Sequence, residues 1–180
     1  MTTPRIIVLV GTPGSGKTWM GETLARRLNL CFLDMERILL AEYGTTERFV
    51  ANKPAALDWF EARVREEAAR EERTLIFEIG AFSQRSTVQR LQEDFATVLV
   101  LVSASAMTRR QRLEDRALGR HFVDEVSETM RHDAFFEREV KPTFDFAFEI
   151  VNENLSESEL VHVVRRQLSQ NGLRLREAPA

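Results

Sequence analysis

The sequence contains a single cysteine, Cys31, and no long hydrophobic run. One cysteine cannot form an internal disulfide, and its place in an apolar stretch favours a buried, unreactive thiol. The longest apolar runs, Ile6 to Val10 and Val98 to Val102, are far shorter than the roughly 20 residues that span a bilayer. The N-terminal residues also lack the pattern of a secretory signal. The sequence therefore predicts a cytoplasmic protein with no membrane partner.

An excess of charge of one sign is also missing, because 25 Lys and Arg face 28 Asp and Glu, for a net charge of −3. Such a chain has no general attraction to nucleic acid, which is therefore not expected as a partner. At 180 residues and 43% hydrophobic residues, the composition predicts one globular domain. We expect residues 1–172 to form that domain, as a monomer or homodimer, and residues 173–180 to be a flexible tail.

Short apolar runs alternate with longer amphipathic segments, the pattern of β-α-β units around a buried parallel sheet. The sequence therefore predicts an α/β fold. Strands are predicted at Arg5 to Val10, Leu30 to Leu33, Thr74 to Ile79, Thr97 to Val102 and Phe146 to Val151. Helices are predicted at Gly16 to Leu28, Met35 to Glu42, Ala55 to Glu71, Ser83 to Glu93, Ala104 to Leu118, Asp124 to Lys141 and Ser156 to Gln170.

A phosphate-binding loop follows the first strand. The sequence Gly11-Thr12-Pro13-Gly14-Ser15-Gly16-Lys17-Thr18 fits the pattern G-x-x-x-x-G-K-[ST] between a strand and a helix. Its backbone N–H groups would converge on phosphate oxygens at the positive end of the helix. Lys17 would contact the β and γ phosphates of ATP, and the Thr18 hydroxyl would bind Mg²⁺. The alternative is a glycine-rich turn with a Lys-Thr pair by chance.

Acidic residues end the next two strands. Asp34 follows the second strand, with Glu36 close behind, and Glu78 ends the third strand before Gly80. Because carboxyl ends of parallel strands share one crevice, Asp34 could bind Mg²⁺ or accept a proton from the acceptor hydroxyl. It could also merely cap the next helix. Glu78 is the competing candidate for metal ligand or base. Its alternative role is a structural hydrogen bond. Gly80, which follows this strand, would let a substrate approach the backbone.

Arginines are dense late in the chain. Arg116 and Arg120 end a helix that leads into a candidate lid near residues 116–124, and Arg131 lies on the following helix. Guanidinium groups from a closing segment stabilise the charge that develops during phosphoryl transfer, so these three are candidate catalytic residues. We expect Arg109, Arg110 and Arg112, by contrast, to lie on the surface of their helix.

The P-loop, the Phe32-Leu33-Asp34-Met35-Glu36 segment and the late arginines together resemble the shikimate kinase and nucleoside monophosphate kinase group. The resemblance implies a five-stranded parallel sheet of order 2-3-1-4-5 between helix layers, with a short lid. It also implies that Asp34 acts with Mg²⁺ and substrate, and that adenine lies near Arg110 and Asn152. ATP and Mg²⁺ are the implied cofactors.

Two departures from the shikimate kinase pattern bear on the acceptor. Leu57-Asp58 stands where those enzymes have a Phe-Arg pair that binds the substrate carboxylate, and Ile79-Gly80-Ala81 replaces a triple glycine. Shikimate is therefore not the expected acceptor. Nucleoside monophosphate kinases have arginines in the acceptor region, where Arg37, Arg48 or Arg85 could serve.

The function that we expect is transfer of the ATP γ-phosphoryl group to a small molecule. One alternative is a nucleotide or nucleic-acid end kinase. Another is a nucleotide-sensing P-loop ATPase or GTPase. Asn52-Lys53-Pro54-Ala55 resembles a guanine-binding motif but lacks its carboxylate, and the sequence contains no Asp-x-x-Gly switch motif.

Overall fold

The computed structural model describes residues 5–45, 48, 51–79, 85–117 and 133–175, without the side chains of residues 116 and 117. The strands are β1 (Ile6–Val10), β2 (Cys31–Leu33), β3 (Leu75–Ile79), β4 (Thr97–Ser103) and β5 (Phe148–Val151). The α-helices are α1 (Lys17–Leu28), α2 (Met35–Tyr43), α3 (Lys53–Arg70), α4 (Arg85–Asp94), α5 (Ala106–Ala117) and α6 (Glu157–Gln170).

The five strands form one parallel sheet in the order β2-β3-β1-β4-β5, which confirms the predicted fold. β1 lies at the centre, and its last residue, Val10, is in register with Ile79 of β3 and Leu101 of β4. All five residues of β1 are buried, as expected for a strand with partners on both edges and helices on both faces. The carboxyl ends of β1, β3 and β4 therefore meet at the same edge of the sheet.

Alternation along β1 directs its side chains into two cores. Ile6, Val8 and Val10 belong to one core, together with apolar residues of α3 and α4. Ile7 and Leu9 belong to the other core, together with apolar residues of α1 and α6. Two helix layers thus hold β1 and the loop that follows it in a fixed position.

Both ends of α6 lie where the sequence predicts them. Ser156 caps its N-terminus in a capping box with Glu159, and Asn171 caps its C-terminus before Gly172, which has φ +69°. Packing continues past residue 172, where the sequence predicts a tail to begin. Leu173 donates its backbone N–H to the Leu168 carbonyl at 2.8 Å, and Leu173 and Leu175 pack against the second core.

The helix predicted over residues 124–141 is helical in its described part, but it is not one continuous α-helix. Residues 133–135 are α-helical, but a π-helical turn follows at Phe136–Val140 and a 3₁₀ turn at Lys141–Thr143. Pro142 has no backbone N–H to continue an α-helix, and the chain changes its hydrogen-bonding period around it. Within the described residues, no helix is long and apolar enough to cross a membrane.

Candidate functional site

The phosphate-binding loop connects β1 to α1, and three of its positions accommodate only glycine. Gly14 and Gly16 have φ of +80° and +93°, a region that side chains with a Cβ disfavour. A Cβ at Gly11 would lie 2.2 Å from the Val102 carbonyl oxygen, and one at Gly16 would lie 2.3 Å from Asn152 Nδ2. The glycines therefore let the loop turn tightly against β4 and against the residue that follows β5.

Polar groups of this loop point to an anion site. Lys17 is buried at the start of α1, and its ammonium group donates to the Thr12 carbonyl at 3.2 Å, so the charge lies over the loop. The Ser15 hydroxyl is fully buried and has no hydrogen-bond partner in the described part of the protein. A positive charge and the N-terminus of α1 at a tight glycine loop are the features that bind phosphate.

Thr18 connects the loop to β3. Its hydroxyl donates to Glu78 Oε1 at 2.7 Å. Burial raises the pKa of the Glu78 carboxyl, and the negative charges of Asp34 and Glu36 raise it further, whereas Lys17 and the Thr18 hydrogen bond lower it. Glu78 is thus the carboxylate in direct contact with the hydroxyl that the motif assigns to Mg²⁺.

Asp34 caps α2, one of the two roles between which the sequence left a choice, and it also lines a cleft. Its carboxylate accepts from the Arg37 backbone N–H at 2.9 Å and so caps α2. It also lines a cleft of about 470 Å³ at the carboxyl edge of the sheet. This cleft, which we call the α1–α2 cleft, is lined by Thr18, Trp19, Glu22, Asp34, Glu36, Arg37 and Leu40.

A second cleft of about 470 Å³ opens on the other side of Thr18 and Trp19. It is lined by Gly14, Gly16, Thr18, Trp19, Arg112, Asn152, Asn154 and Leu155. The Asn152 side chain is buried and donates to the Ser15 carbonyl at 2.9 Å, so it supports the loop directly. The two clefts therefore meet at Thr18 and Trp19, the residues that line both of them.

The expectation that Arg109 and Arg112 lie on the surface is wrong. Arg109 is 5% exposed and donates to Thr12 Oγ1 at 2.9 Å and to Asp133 Oδ1 at 2.8 Å. Arg112 donates to the carbonyls of Gly14 and Ser15, at 3.3 and 3.4 Å, and to that of Glu153 at 2.8 Å.

The surface expectation holds for Arg110, which is exposed and pairs with Glu114 on α5. The structure therefore does not bring Arg110 to the second cleft, where the resemblance placed adenine, and Arg112 lines that cleft instead. Arg109 and Arg112 are three residues apart and share one face of α5. That spacing is visible in the sequence, but only the packed structure shows which face of α5 meets the loop.

Several predicted site residues lie outside the described residues. These are Gly80, Arg120, Arg131 and the side chain of Arg116, together with most of the candidate lid. Arg48 and Arg85, which could have served a phosphate acceptor, are exposed.

The oxygen atoms of Thr18 and Glu78 fit a hard divalent cation such as Mg²⁺, which uses one or two carboxylates together with substrate phosphates. Among the described residues there is no group of three or more His, Cys, Asp or Glu that could hold a metal ion by protein ligands alone.

Comparison with known proteins agrees with this geometry. A family profile described as an AAA domain matches residues 6–136. A shikimate kinase from Chlamydia pneumoniae is 26% identical over 152 residues, which cover 80% of this chain and 85% of the relative.

Solved structures are similar over almost the whole chain. A shikimate kinase from Acinetobacter baumannii in complex with shikimate has a TM-score of 0.63 at 22% identity, covering 94% of this chain and 95% of its own. A gluconokinase from Sinorhizobium meliloti 1021 has a TM-score of 0.57 at 18% identity, covering 94% of both chains. The chain belongs to the AAA domain family, and it is similar in sequence and in fold to shikimate kinases.

Proposed function

We propose that the protein is a Mg²⁺-dependent kinase that transfers the γ-phosphoryl group of ATP to a small molecule bound in the α1–α2 cleft. The observation that carries this proposal is the hydrogen bond between Thr18 and Glu78. It places a hydroxyl and a carboxylate at the point where the phosphate-binding loop meets a cleft of about 470 Å³.

The second cleft is the proposed site of the nucleotide base. It adjoins the phosphate-binding loop through Gly14 and Gly16 and contains polar side chains of Arg112, Asn152 and Asn154. In this arrangement Lys17 neutralises charge on the β and γ phosphates, while the loop N–H groups orient them. The γ-phosphoryl group would then face the α1–α2 cleft, because Thr18 lines both clefts.

Thr18 and Glu78 are the proposed protein ligands of Mg²⁺. An ion held by these two residues would supply positive charge that stabilises the negative charge developing during transfer. Asp34 is left as the group that accepts a proton from the acceptor hydroxyl, since its carboxylate lines the same cleft. In-line transfer needs the acceptor oxygen held close to the phosphoryl group in a site that excludes water, and such positioning supplies much of the catalysis.

The proteins compared above support a small-molecule acceptor. Two of them are named shikimate kinase and one is named gluconokinase. These names indicate small hydroxylated compounds as the acceptors of those proteins. At 26% identity and below, those names do not transfer to the acceptor of this protein.

The test is ADP release from Mg-ATP in the presence and absence of separate pools of small metabolites, nucleotides and 5′-hydroxyl oligonucleotides. We expect one metabolite pool to stimulate release and Lys17→Ala to abolish the stimulation. Lys141→Ala is the matched control, because Lys141, in the 3₁₀ turn, pairs with Glu137 of the π-helical turn and has no described contact with the loop. Tight ATP binding without stimulation by any pool would contradict the proposal and favour a nucleotide-sensing role.

A further inference from the structure

The side chains of the α1–α2 cleft carry more negative than positive charge. Among the residues that the structure describes, three carboxylates line it, those of Glu22, Asp34 and Glu36, against one guanidinium, that of Arg37. Lys17 lies over the phosphate-binding loop, where its charge balances phosphates.

The carboxylates come from two elements that face each other across the cleft. Thr18 and Glu22 are four residues apart on α1 and therefore project from the same face of that helix. Asp34 and Glu36 stand at the start of α2, where the helix dipole stabilises their negative charge. An anionic acceptor bound in this cleft would lie near carboxylates of both α1 and α2. Like-charge contacts at close range oppose such binding.

Apolar surface in the cleft comes from Trp19 and Leu40. The face of an indole ring attracts a cation, and the attraction grows where the site is desolvated. A tryptophan and several carboxylates lining one cleft are a suitable environment for a protonated amine on a hydroxylated compound. The same surroundings also accept neutral hydroxyl groups, because carboxylate oxygens accept hydrogen bonds from them.

We infer that the phosphoryl acceptor is a hydroxylated compound without a carboxylate or phosphate group, and that a protonated amine on it favours binding. This inference rests on the proposed kinase function and narrows it to a class of substrate.

The test compares acceptors that differ chiefly in charge. Glucosamine, glucose and gluconate form one such set, and pools of amino alcohols, neutral polyols, and sugar acids with nucleoside monophosphates extend it. We expect the amine-bearing or neutral pools to stimulate Lys17-dependent ADP release, with kcat/KM at least about tenfold above that of the acidic pool. Stimulation by the acidic pool alone would overturn the inference and leave the kinase function standing. Absence of stimulation by every pool would instead overturn the kinase function itself.

A variant pair tests whether the cleft carboxylates cause the preference. In Glu36→Gln, the ratio of kcat/KM between amine-bearing and acid-bearing analogues of the active acceptor should fall about fivefold at low salt. Glu42→Gln is the matched control, because Glu42 lies on the same helix, is exposed and does not line the cleft. A ratio unchanged in both variants would overturn the assignment of the preference to this cleft.

Discussion

Thr18 Oγ1 donates a hydrogen bond of 2.7 Å to Glu78 Oε1, although the two residues are 60 positions apart in the sequence. The contact forms because β1 and β3 are adjacent, with Val10 in register with Ile79, so that the loop after β1 begins beside the end of β3. It makes Glu78 the carboxylate that contacts the proposed metal-binding hydroxyl, and it leaves Asp34 in the neighbouring cleft. The two acids can therefore be tested for separate roles.

Replacing either acid by its amide should separate metal binding from proton transfer. We expect Glu78→Gln to raise the Mg²⁺ concentration needed for half-maximal activity at least about tenfold, because a ligand is lost. Asp34→Asn should instead lower kcat about 100-fold at saturating Mg²⁺, because the proton acceptor is lost. Steady-state rates over a Mg²⁺ titration check both outcomes, and the opposite pattern would assign the base to Glu78.

Adjacent arginines on α5 should differ sharply in their effect on stability. Arg109→Ala leaves Asp133 without the partner of a partly buried ion pair and removes the contact to Thr12, so it should destabilise the protein by about 2 kcal/mol. Arg110→Ala breaks only an exposed pair with Glu114 and should change stability by less than about 0.5 kcal/mol. Urea unfolding of the two variants measures the difference, and equal effects would show that Arg109 is not buried as described.

Arg112 should matter for nucleotide affinity rather than for the acceptor. Lysine keeps its charge but cannot reproduce the guanidinium contacts to the Gly14, Ser15 and Glu153 carbonyls. We expect Arg112→Lys to raise the KM for ATP about tenfold, since roughly 1.4 kcal/mol of binding is lost with these bonds. The KM for the acceptor should stay unchanged. Arg110→Lys is the control, and an equal rise in that variant would contradict the role given to Arg112.

Gly11 is required by space rather than by backbone conformation. A Cβ there would lie 2.2 Å from the Val102 carbonyl oxygen, which is held in the sheet. Gly11→Ala should therefore destabilise the protein by about 3 kcal/mol. A Cβ at Gly44 would meet no atom within 4 Å, so the cost of Gly44→Ala comes only from the backbone φ of +79°. We expect it to lower the free energy of unfolding by about 1 kcal/mol. Thermal unfolding compares the two variants, and a smaller effect at Gly11 would contradict the close packing of β1 and β4.

The pair of Glu71 and Arg73 should make stability depend on acid pH. Hydrogen bonds from the Arg73 side chain and backbone lower the pKa of Glu71 to about 2 from its ordinary value of 4.5. Between these values the unfolded chain binds a proton that the folded chain does not, so this contribution is full above pH 4.5 and is lost towards pH 2.

A double-mutant cycle with Glu71→Gln and Arg73→Gln measures this contribution. Since the pair is partly exposed, we expect a coupling energy of about 0.5–1 kcal/mol at pH 7. The coupling should shrink as the pH falls below 4.5. A coupling energy that is independent of pH would show that Glu71 does not titrate in this range.

Local patterns in the sequence were sufficient for the fold class and for the phosphate-binding loop. Five short apolar runs between amphipathic segments predict a parallel sheet, because strands that are covered on both faces have no solvent-exposed side and are apolar throughout. The loop motif, the capping box at Ser156 and the stop at Asn171 and Gly172 each depend on neighbours within eight residues. Such features need no knowledge of distant parts of the chain.

Tertiary packing decided which polar side chains meet. Arg109 and Arg110 are neighbours with the same side chain, yet one is buried against Thr12 and Asp133 while the other is exposed. The difference arises from the face of α5 that packs on the loop, which α5 alone does not specify. The sequence likewise left Asp34 and Glu78 as competing candidates for the metal ligand, and only the packed structure shows that Glu78 contacts Thr18. Helix faces and strand neighbours are set by the whole core, since every element must bury its apolar side at once.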